Sequence, residues 1–228
     1  MASWMIHLRV AERLIEKLHI ENETEFIVGN IAPDSGEPNE DWTVFTPNGF
    51  VSHFRKEDIE GIKNIYEEGY IEKYFSPELR ARYDKKQYEF YLGYLTHLLT
   101  DKVWARDIAE VAKNKFIEEF NKNGGVFWWK IKADWYDLDK LYLKYNPDFK
   151  AFKTYAAAEG FINTYLDFFT EMAFDNRRKY ITEFYINGSK EVVERPMYIS
   201  MQELDTFVDN AVEEIVEYLE AKKYVKSE

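Results

Sequence analysis

The chain of 228 residues contains no cysteine and no apolar run of eighteen or more residues. The first absence excludes disulfide bonds and thiolate ligands, so any bound metal must use histidine, carboxylate, carbonyl or water. The second argues against a transmembrane helix, and the N-terminus lacks the basic and then apolar segments of a signal peptide. These features predict a soluble protein with a cytoplasmic location.

Basic residues are also too few to balance the acidic ones, since 30 Lys and Arg stand against 42 Asp and Glu, a net charge of −12. Nucleic-acid binding draws on clustered basic side chains, so this balance argues against a nucleic-acid platform. It also argues against adsorption to anionic membranes. A small phosphoester substrate remains compatible, because bound cations can outweigh distant surface charge.

Histidine is scarce, with four residues in the chain. His97 and Asp101 lie four residues apart in the strongly helical run 94–101. Side chains with this spacing project from the same face of a helix. The pair is typical of a helix that presents two ligands to one metal.

Three further candidate ligands come from separate segments. His7 falls on the apolar face of an N-terminal helical pattern, Asp34 in the turn-rich run GNIAPDSG, and His53 in the run VSHF. Imidazole and carboxylate together suit zinc, iron, manganese or nickel. Ligands this widely spread are unlike a zinc finger and favour a catalytic site inside a helical bundle.

Three phrases carry a resemblance to a known family, namely FIVGNIAPD at 26–34, SHF at 52–54 and YLGYLTHLLTD at 91–101. In order and spacing they resemble the zinc-dependent phospholipase C family, and within it the small intracellular bacterial branch. That family is related to the single-strand-specific zinc nucleases. The resemblance is strongest over residues 1–105 and implies an all-α, multi-helix bundle with zinc ions around an activated water.

The resemblance also implies roles for the five candidates. Asp34, His53, His97 and Asp101 would hold one metal, while His7 and a bridging Asp101 would begin a second site. Asp34 would in addition orient or deprotonate the attacking water as the catalytic residue. One or two Zn²⁺ ions, or another divalent metal, would be the cofactor.

Two departures from the family pattern limit the resemblance. Secreted members use the amine of an N-terminal Trp as a ligand, whereas Trp4 is not the first residue here. They also complete a third site with histidines, and no histidine follows His97. Asp107, Asp134 and Asp137 would form a carboxylate-rich substitute site, or Asp134 and Asp137 would simply favour a helix N-terminus.

The remaining pattern predicts a single helical domain over residues 1–228. A long irregular segment at 20–56 is expected, with helices at 57–74, 85–121, 134–145, 150–186 with a break, and 200–224. The second of these helices would break near Asp101 or Trp104, a capping box at Ser200 would open the last, and an irregular excursion would run from Ile186 to before Pro196. The run VFWW at 126–129 would either line a pocket or pack in the core.

A metal-dependent phosphoric ester hydrolase is therefore the leading hypothesis. A phosphohydrolase of the HD type that acts on nucleotides is an alternative, although no histidine is followed directly by aspartate in this chain. A non-catalytic protein of the same fold that keeps the metal is another. Coincidental placement of the five residues is the simplest alternative, and the sequence does not predict the oligomeric state or the identity of the substrate.

Overall fold

A computed structural model describes residues 1–57, 63–188 and 198–225 of the chain. The described residues are mostly helical, which confirms the predicted all-α class. The helices are α1 (Trp4–Lys17), α2 (Glu23–Ile31), α3 (Gly49–Ser52), α4 (Glu67–Tyr74), α5 (Pro77–Arg80), α6 (Lys85–Trp104), α7 (Val111–Lys115), α8 (Ile117–Asn123), α9 (Gly125–Tyr145), α10 (Lys150–Ala157), α11 (Ala173–Gly188) and α12 (Met201–Ala221).

Short irregular elements join these helices. A 3-10 turn at Ala32–Asp34 follows α2, and a π-helical segment at Ala105–Glu110 follows α6. The described residues include two antiparallel pairs of very short strands, β1 (Glu37–Pro38) with β2 (Phe45–Thr46) and β3 (Arg55–Glu57) with β4 (Lys63–Ile65). None of the helices in the described part of the chain combines the length and the apolar character that crossing a membrane requires.

Helix α1 begins where the sequence pattern places it. The Ser3 hydroxyl accepts a hydrogen bond from the backbone N–H of Ile6 and so caps the helix N-terminus. Apolar residues recur every three to four positions, which buries one face of the helix. His7 lies fully buried in that face.

Ion pairs join α1 to α12. The pairs are Arg9 with Asp205, Arg13 with Asp209, and Lys17 with Glu213. Both partners advance by four residues from one pair to the next, so the two helices lie side by side and run in the same direction. The last helix of the described chain therefore covers the helix that carries His7.

Helices α2 and α6 approach each other so closely that their backbones touch. A Cβ added to Gly29 would lie 2.1 Å from the carbonyl oxygen of Phe90, and one added to Gly93 would lie 2.1 Å from that of Phe26. Only glycine fits at such positions without displacing backbone. This contact places the end of α2 against the turn of α6 that carries His97.

The predicted irregular segment at 20–56 is wrong over α2, which is a regular and largely buried helix. Its start is held by Glu89 of α6, whose carboxylate accepts hydrogen bonds from the backbone N–H groups of Glu21 and Asn22. Tertiary packing against α6 thus stabilises a helix that its own glycine and asparagine content disfavours.

Other boundaries differ in part. The helix predicted at 57–74 begins only at Glu67, after the short strands, and residues 58–62 lie outside the described chain. The helix predicted from 134 begins at Gly125, so Asp134 and Asp137 lie inside α9 and not at its N-terminus, which corrects that interpretation. The start of α9 instead follows Gly124, whose positive φ of 49° suits glycine.

The predicted interruptions are largely confirmed. Helix α6 gives way to the π-helical segment after Trp104, the 150–186 region is broken between α10 and α11, and Ser200 forms a capping box with Glu203. The predicted irregular excursion from Ile186 is wrong over residues 186–188, because these residues belong to α11. The rest of that excursion lies outside the described residues.

Candidate metal centre

Five side chains converge in the core at the meeting point of α1, α2, α3 and α6. The structure brings together His7 from α1, Asp34 from the 3-10 turn, His53 from the end of α3, and His97 and Asp101 from α6. They form two overlapping groups, His7 with His97 and Asp101, and Asp34 with His53 and His97. Within each group the ligand atoms all lie within 4.8 Å of one another.

The distances inside the cluster link these groups through His53 and His97. The Nε2 atoms of His53 and His97 are 3.2 Å apart. His53 Nε2 lies 3.3 Å from Asp34 Oδ1 and 3.6 Å from Asp101 Oδ2. His7 stacks on His97 with a centroid separation of 3.7 Å, and its Nε2 lies 3.4 Å from Asp101 Oδ1.

In His97 and His53, the ring nitrogen Nδ1 contacts a neighbour that the sequence analysis did not predict. His97 Nδ1 lies 2.7 Å from the backbone carbonyl oxygen of Asn30, and His53 Nδ1 lies 3.0 Å from Ser52 Oγ. Because a carbonyl can only accept, Nδ1 of His97 carries the proton, and in the neutral ring Nε2 then has its lone pair directed into the cluster. Tyr94 donates a hydrogen bond to the Ser52 carbonyl and so ties α3 to α6.

The charge states of the cluster also suit metal ligation. Burial, together with the nearby His7 ring, lowers the pKa of His97 to about 3, so the ring is neutral at ordinary pH. Burial opposes ionisation of Asp34, but the hydrogen bond with His53 lowers its pKa below the usual range. Burial likewise opposes ionisation of Asp101. The positively charged N-terminal amino group and the nearby His7 nevertheless lower the pKa of Asp101 well below the usual range.

Several buried atoms of the cluster have no hydrogen-bond partner among the described residues. They are Nδ1 and Nε2 of His7 and Oδ2 of Asp101. Asp101 Oδ1, in contrast, accepts a hydrogen bond of 2.7 Å from the backbone N–H of Ala2. An unsatisfied buried polar atom costs about 1–3 kcal/mol, and a divalent cation would remove that cost at nitrogen and oxygen donors like these. The residues present therefore fit a zinc-type cation.

The three acidic residues considered for a substitute third site are not assembled into one. Asp107 pairs with its neighbour Arg106 in the π-helical segment. Asp134 accepts from the backbone N–H of Tyr198, and Asp137 pairs with Lys140 on the same helix. Among the described residues, neither group of metal-ligand donors includes any of these three carboxylates.

A cavity of about 460 Å³ opens beside the cluster. Asp34 and His53 line it, so this side of the cluster faces the cavity, whereas His7, His97 and Asp101 are closed off in the core. The rest of its wall is strongly aromatic, with Trp4, Trp42, Phe45, Trp129, Trp135, Tyr136 and Tyr180. Both interpretations of the run VFWW hold in part, because Phe127 is in the core and Trp129 lines the cavity.

The fold and the cluster together define a class, that of all-α proteins with a histidine and aspartate centre beside an aromatic cavity. The sequence model for zinc dependent phospholipase C matches residues 6–194, and the chain belongs to this family. The matched range extends well beyond residues 1–105, where the motifs are strongest. Comparison with curated proteins and with solved structures gives no match.

Proposed function

We propose that the protein is a metal-dependent phosphoric ester hydrolase of the phospholipase C type. His7, Asp34, His53, His97 and Asp101 would hold one or two divalent cations, zinc before others. The observation that carries this proposal is the convergence of ionised carboxylates and imidazoles beside a cavity, with some of their atoms lacking any hydrogen-bond partner among the described residues.

The position of the cluster favours a catalytic site over a structural one. Structural zinc sites are coordinatively closed, whereas catalytic sites keep a position open to water or substrate. Here Asp34 and His53 line the cavity while their partners in the cluster are buried behind them. A phosphoryl group entering the cavity would meet this face of the cluster first.

The residues of the chain divide the work of hydrolysis. When bound, the cation would supply Lewis acidity toward a phosphoryl oxygen and would lower the pKa of water. Asp34, ionised at neutral pH, would accept a hydrogen bond from the attacking water and orient it toward phosphorus. The new P–O bond forms as the bond to the leaving alkoxide breaks, and the proton released by water passes to that alkoxide.

The family match makes one of the alternative functions less plausible than the other. The family match and the absence of an adjacent His-Asp pair both speak against the HD type. A non-catalytic member of the same family is the remaining alternative, and a test for substrate turnover distinguishes it from an enzyme.

A buried apolar cluster that runs from α1 to α12 supports the prediction that residues 1–228 form one domain. The single domain and the cytoplasmic location both stay predictions.

The experiment is elemental analysis of purified wild type, His97→Ala and a matched control, with parallel assays on bis(p-nitrophenyl) phosphate and p-nitrophenyl phosphate. The control is His19→Asn, which changes the one histidine outside the cluster at a position whose φ of 52° asparagine tolerates. We expect zinc and hydrolysis in wild type and in the control, and loss of both in His97→Ala. Zinc without hydrolysis would support the non-catalytic alternative, and no zinc in any of the three proteins would refute the metal centre.

A further inference from the structure

Two consecutive arginines on α11 differ in their partners. Arg177 and Arg178 are 6 % and 7 % exposed. Arg178 has an ordinary buried environment, since Nε donates to Asp175 Oδ1 at 2.8 Å and Nη1 donates to the carbonyl of Ala156 at 2.8 Å. Among the described residues, the guanidinium of Arg177 makes a single hydrogen bond, to the carbonyl of Gly36, and no ion pair.

Aromatic rings hold the Arg177 guanidinium in place of a carboxylate. Its central carbon lies 5.9 Å from the ring centroid of Trp4, 5.8 Å from that of Phe45 and 5.6 Å from that of Tyr180. Contacts of this kind stabilise a cation only modestly. A nearly buried guanidinium has a large desolvation cost, which such contacts do not fully offset. In most proteins an anionic partner offsets that cost through charge-assisted hydrogen bonds.

The same arginine lines the cavity beside the candidate metal centre. Lys132 also lines that cavity, and Asp34 is the carboxylate among its described lining residues. The wall therefore carries more cations than anions in a protein whose net charge is −12. Such a reversal of sign concentrates anions inside the cavity.

We propose that Arg177 is a specificity-determining residue that binds a second anionic group of the substrate, on the part of the phosphodiester that lies along the aromatic wall. The phosphoryl group itself would sit at the cluster with Asp34 and His53, and Arg177 makes no ion pair with Asp34. The substrate class is thus a phosphodiester that bears an additional carboxylate or phosphate. This inference rests on the proposed function for its link to turnover, but the binding that it assigns to Arg177 is independent of catalysis.

The experiment uses three phosphodiesters with the same p-nitrophenolate leaving group. Their second ester is phenyl, 4-carboxyphenyl or 4-(trimethylammonio)phenyl. The zinc-loaded proteins are wild type, Arg177→Gln, Arg177→Lys and the control Lys179→Gln, which removes an exposed charge from the same helix. We expect wild type to favour the carboxyphenyl ester by about tenfold in kcat/KM, mainly through KM, as one charge-assisted hydrogen bond predicts. Arg177→Gln should abolish this preference, Arg177→Lys retain part of it, and Lys179→Gln all of it.

Calorimetric titration with phenylphosphonate and 4-carboxyphenylphosphonate measures the same selectivity without turnover. Selective binding of the second compound, lost in Arg177→Gln, with no hydrolysis of any ester would uphold the inference and refute the proposed function. Hydrolysis by a wild type that shows no preference, or that favours the trimethylammonio ester, would overturn the inference alone. An equal loss of kcat/KM on all three esters in both Arg177 variants would also overturn the inference, since such a loss would indicate a structural role for Arg177. If Arg177→Gln does not fold, the wild-type preference and Arg177→Lys decide.

Discussion

Two buried polar clusters meet the start of α1, and they differ in how their hydrogen bonds are completed. In the first, Asp139 of α9 accepts from Ser3 Oγ and from the hydroxyl of Tyr185, each at 2.9 Å, and that hydroxyl accepts from the backbone N–H of Met5 at 3.1 Å. Each polar group there has a partner within the protein. This network joins α1 to α9 and α11.

The candidate metal centre also contacts the start of α1, where Asp101 accepts from the backbone N–H of Ala2, but it leaves several buried polar atoms without partners among the described residues. Both ring nitrogens of His7 and Oδ2 of Asp101 are buried without a hydrogen bond to any described residue. Lone pairs on converging imidazoles and carboxylates cannot satisfy one another without protons. A polar network whose groups all pair with one another therefore stabilises the fold by itself, whereas one with unpaired groups stabilises it only when a ligand is bound.

The largest expected effect concerns the open cluster, where zinc should raise the melting temperature of wild type. Zinc at about a thousand times its dissociation constant would contribute about 4 kcal/mol, which corresponds to a shift of roughly 10 °C for a protein of this size. Asp101→Asn should lose most of that shift, because it removes a charged ligand at the centre of the cluster. Differential scanning calorimetry with and without a chelator measures both proteins.

Asp107→Asn is the matched control for that measurement. Asp107 pairs with Arg106 away from the cluster, so this variant should keep the full zinc-dependent shift. Equal shifts in wild type and Asp101→Asn would contradict the assignment of Asp101 as a ligand.

A smaller but still large effect is expected from Gly93→Ala. The added methyl group would lie 2.1 Å from the carbonyl oxygen of Phe26, so α2 and α6 must separate. We expect a loss of about 3 kcal/mol in the free energy of unfolding and weaker zinc binding, because Asn30 would move away from His97. Urea denaturation and zinc titration measure these effects, and Gly125→Ala, where an added Cβ meets nothing within 4 Å, should show neither of them.

The closed network should behave differently when it is broken. Tyr185→Phe removes the hydroxyl that donates to Asp139 and accepts from Met5, which should cost about 2 kcal/mol in the free energy of unfolding. Zinc content should stay unchanged, since no metal-ligand candidate touches this hydroxyl. Exposed Tyr145→Phe provides the control with little effect, and a loss of zinc in Tyr185→Phe would show that the two clusters are not separable.

The smallest expected effect is a change in pH dependence at Asp139. Burial raises its pKa from 3.8 to about 7, although the hydrogen bonds from Ser3 and Tyr185 oppose the change. The folded state therefore binds a proton that the unfolded state has released between these two values, so the stability contributed by this group falls as pH rises from about 4 to about 7. Asp139→Asn should remove that fall, and a gain of about 1.4 kcal/mol relative to wild type is expected on going from pH 6 to pH 8. Urea denaturation at both values measures it, and an unchanged slope in the variant would contradict this origin.

Much of the candidate site was predictable because it depends on residue type and local spacing. His97 and Asp101 share a helix face through their i, i+4 relation, and the order of the other three candidates matched a family pattern. The neighbours that orient the rings were not predictable in the same way. Asn30 acts through its backbone carbonyl, which every residue type possesses, so its side chain carried no signal.

Arg177 shows the same limit from another direction. Two adjacent arginines look alike in sequence, and only their surroundings separate the one paired with Asp175 from the one among aromatic rings. Likewise the glycine and asparagine of α2 predicted an irregular segment. The segment is helical because α6 packs against it and Glu89 of α6 accepts hydrogen bonds at its start.

The helical class, the candidate donor types and the absence of thiolate chemistry follow from residue periodicity and composition alone. Packing in three dimensions was needed to show which candidate donors meet, which nitrogen of His97 faces the cluster, and which arginine lines the cavity. The physical reason is that distances between segments depend on how closely helices pack. In this protein the backbone contact of α2 with α6 at Gly29 and Gly93 sets the approach that brings Asn30 to His97.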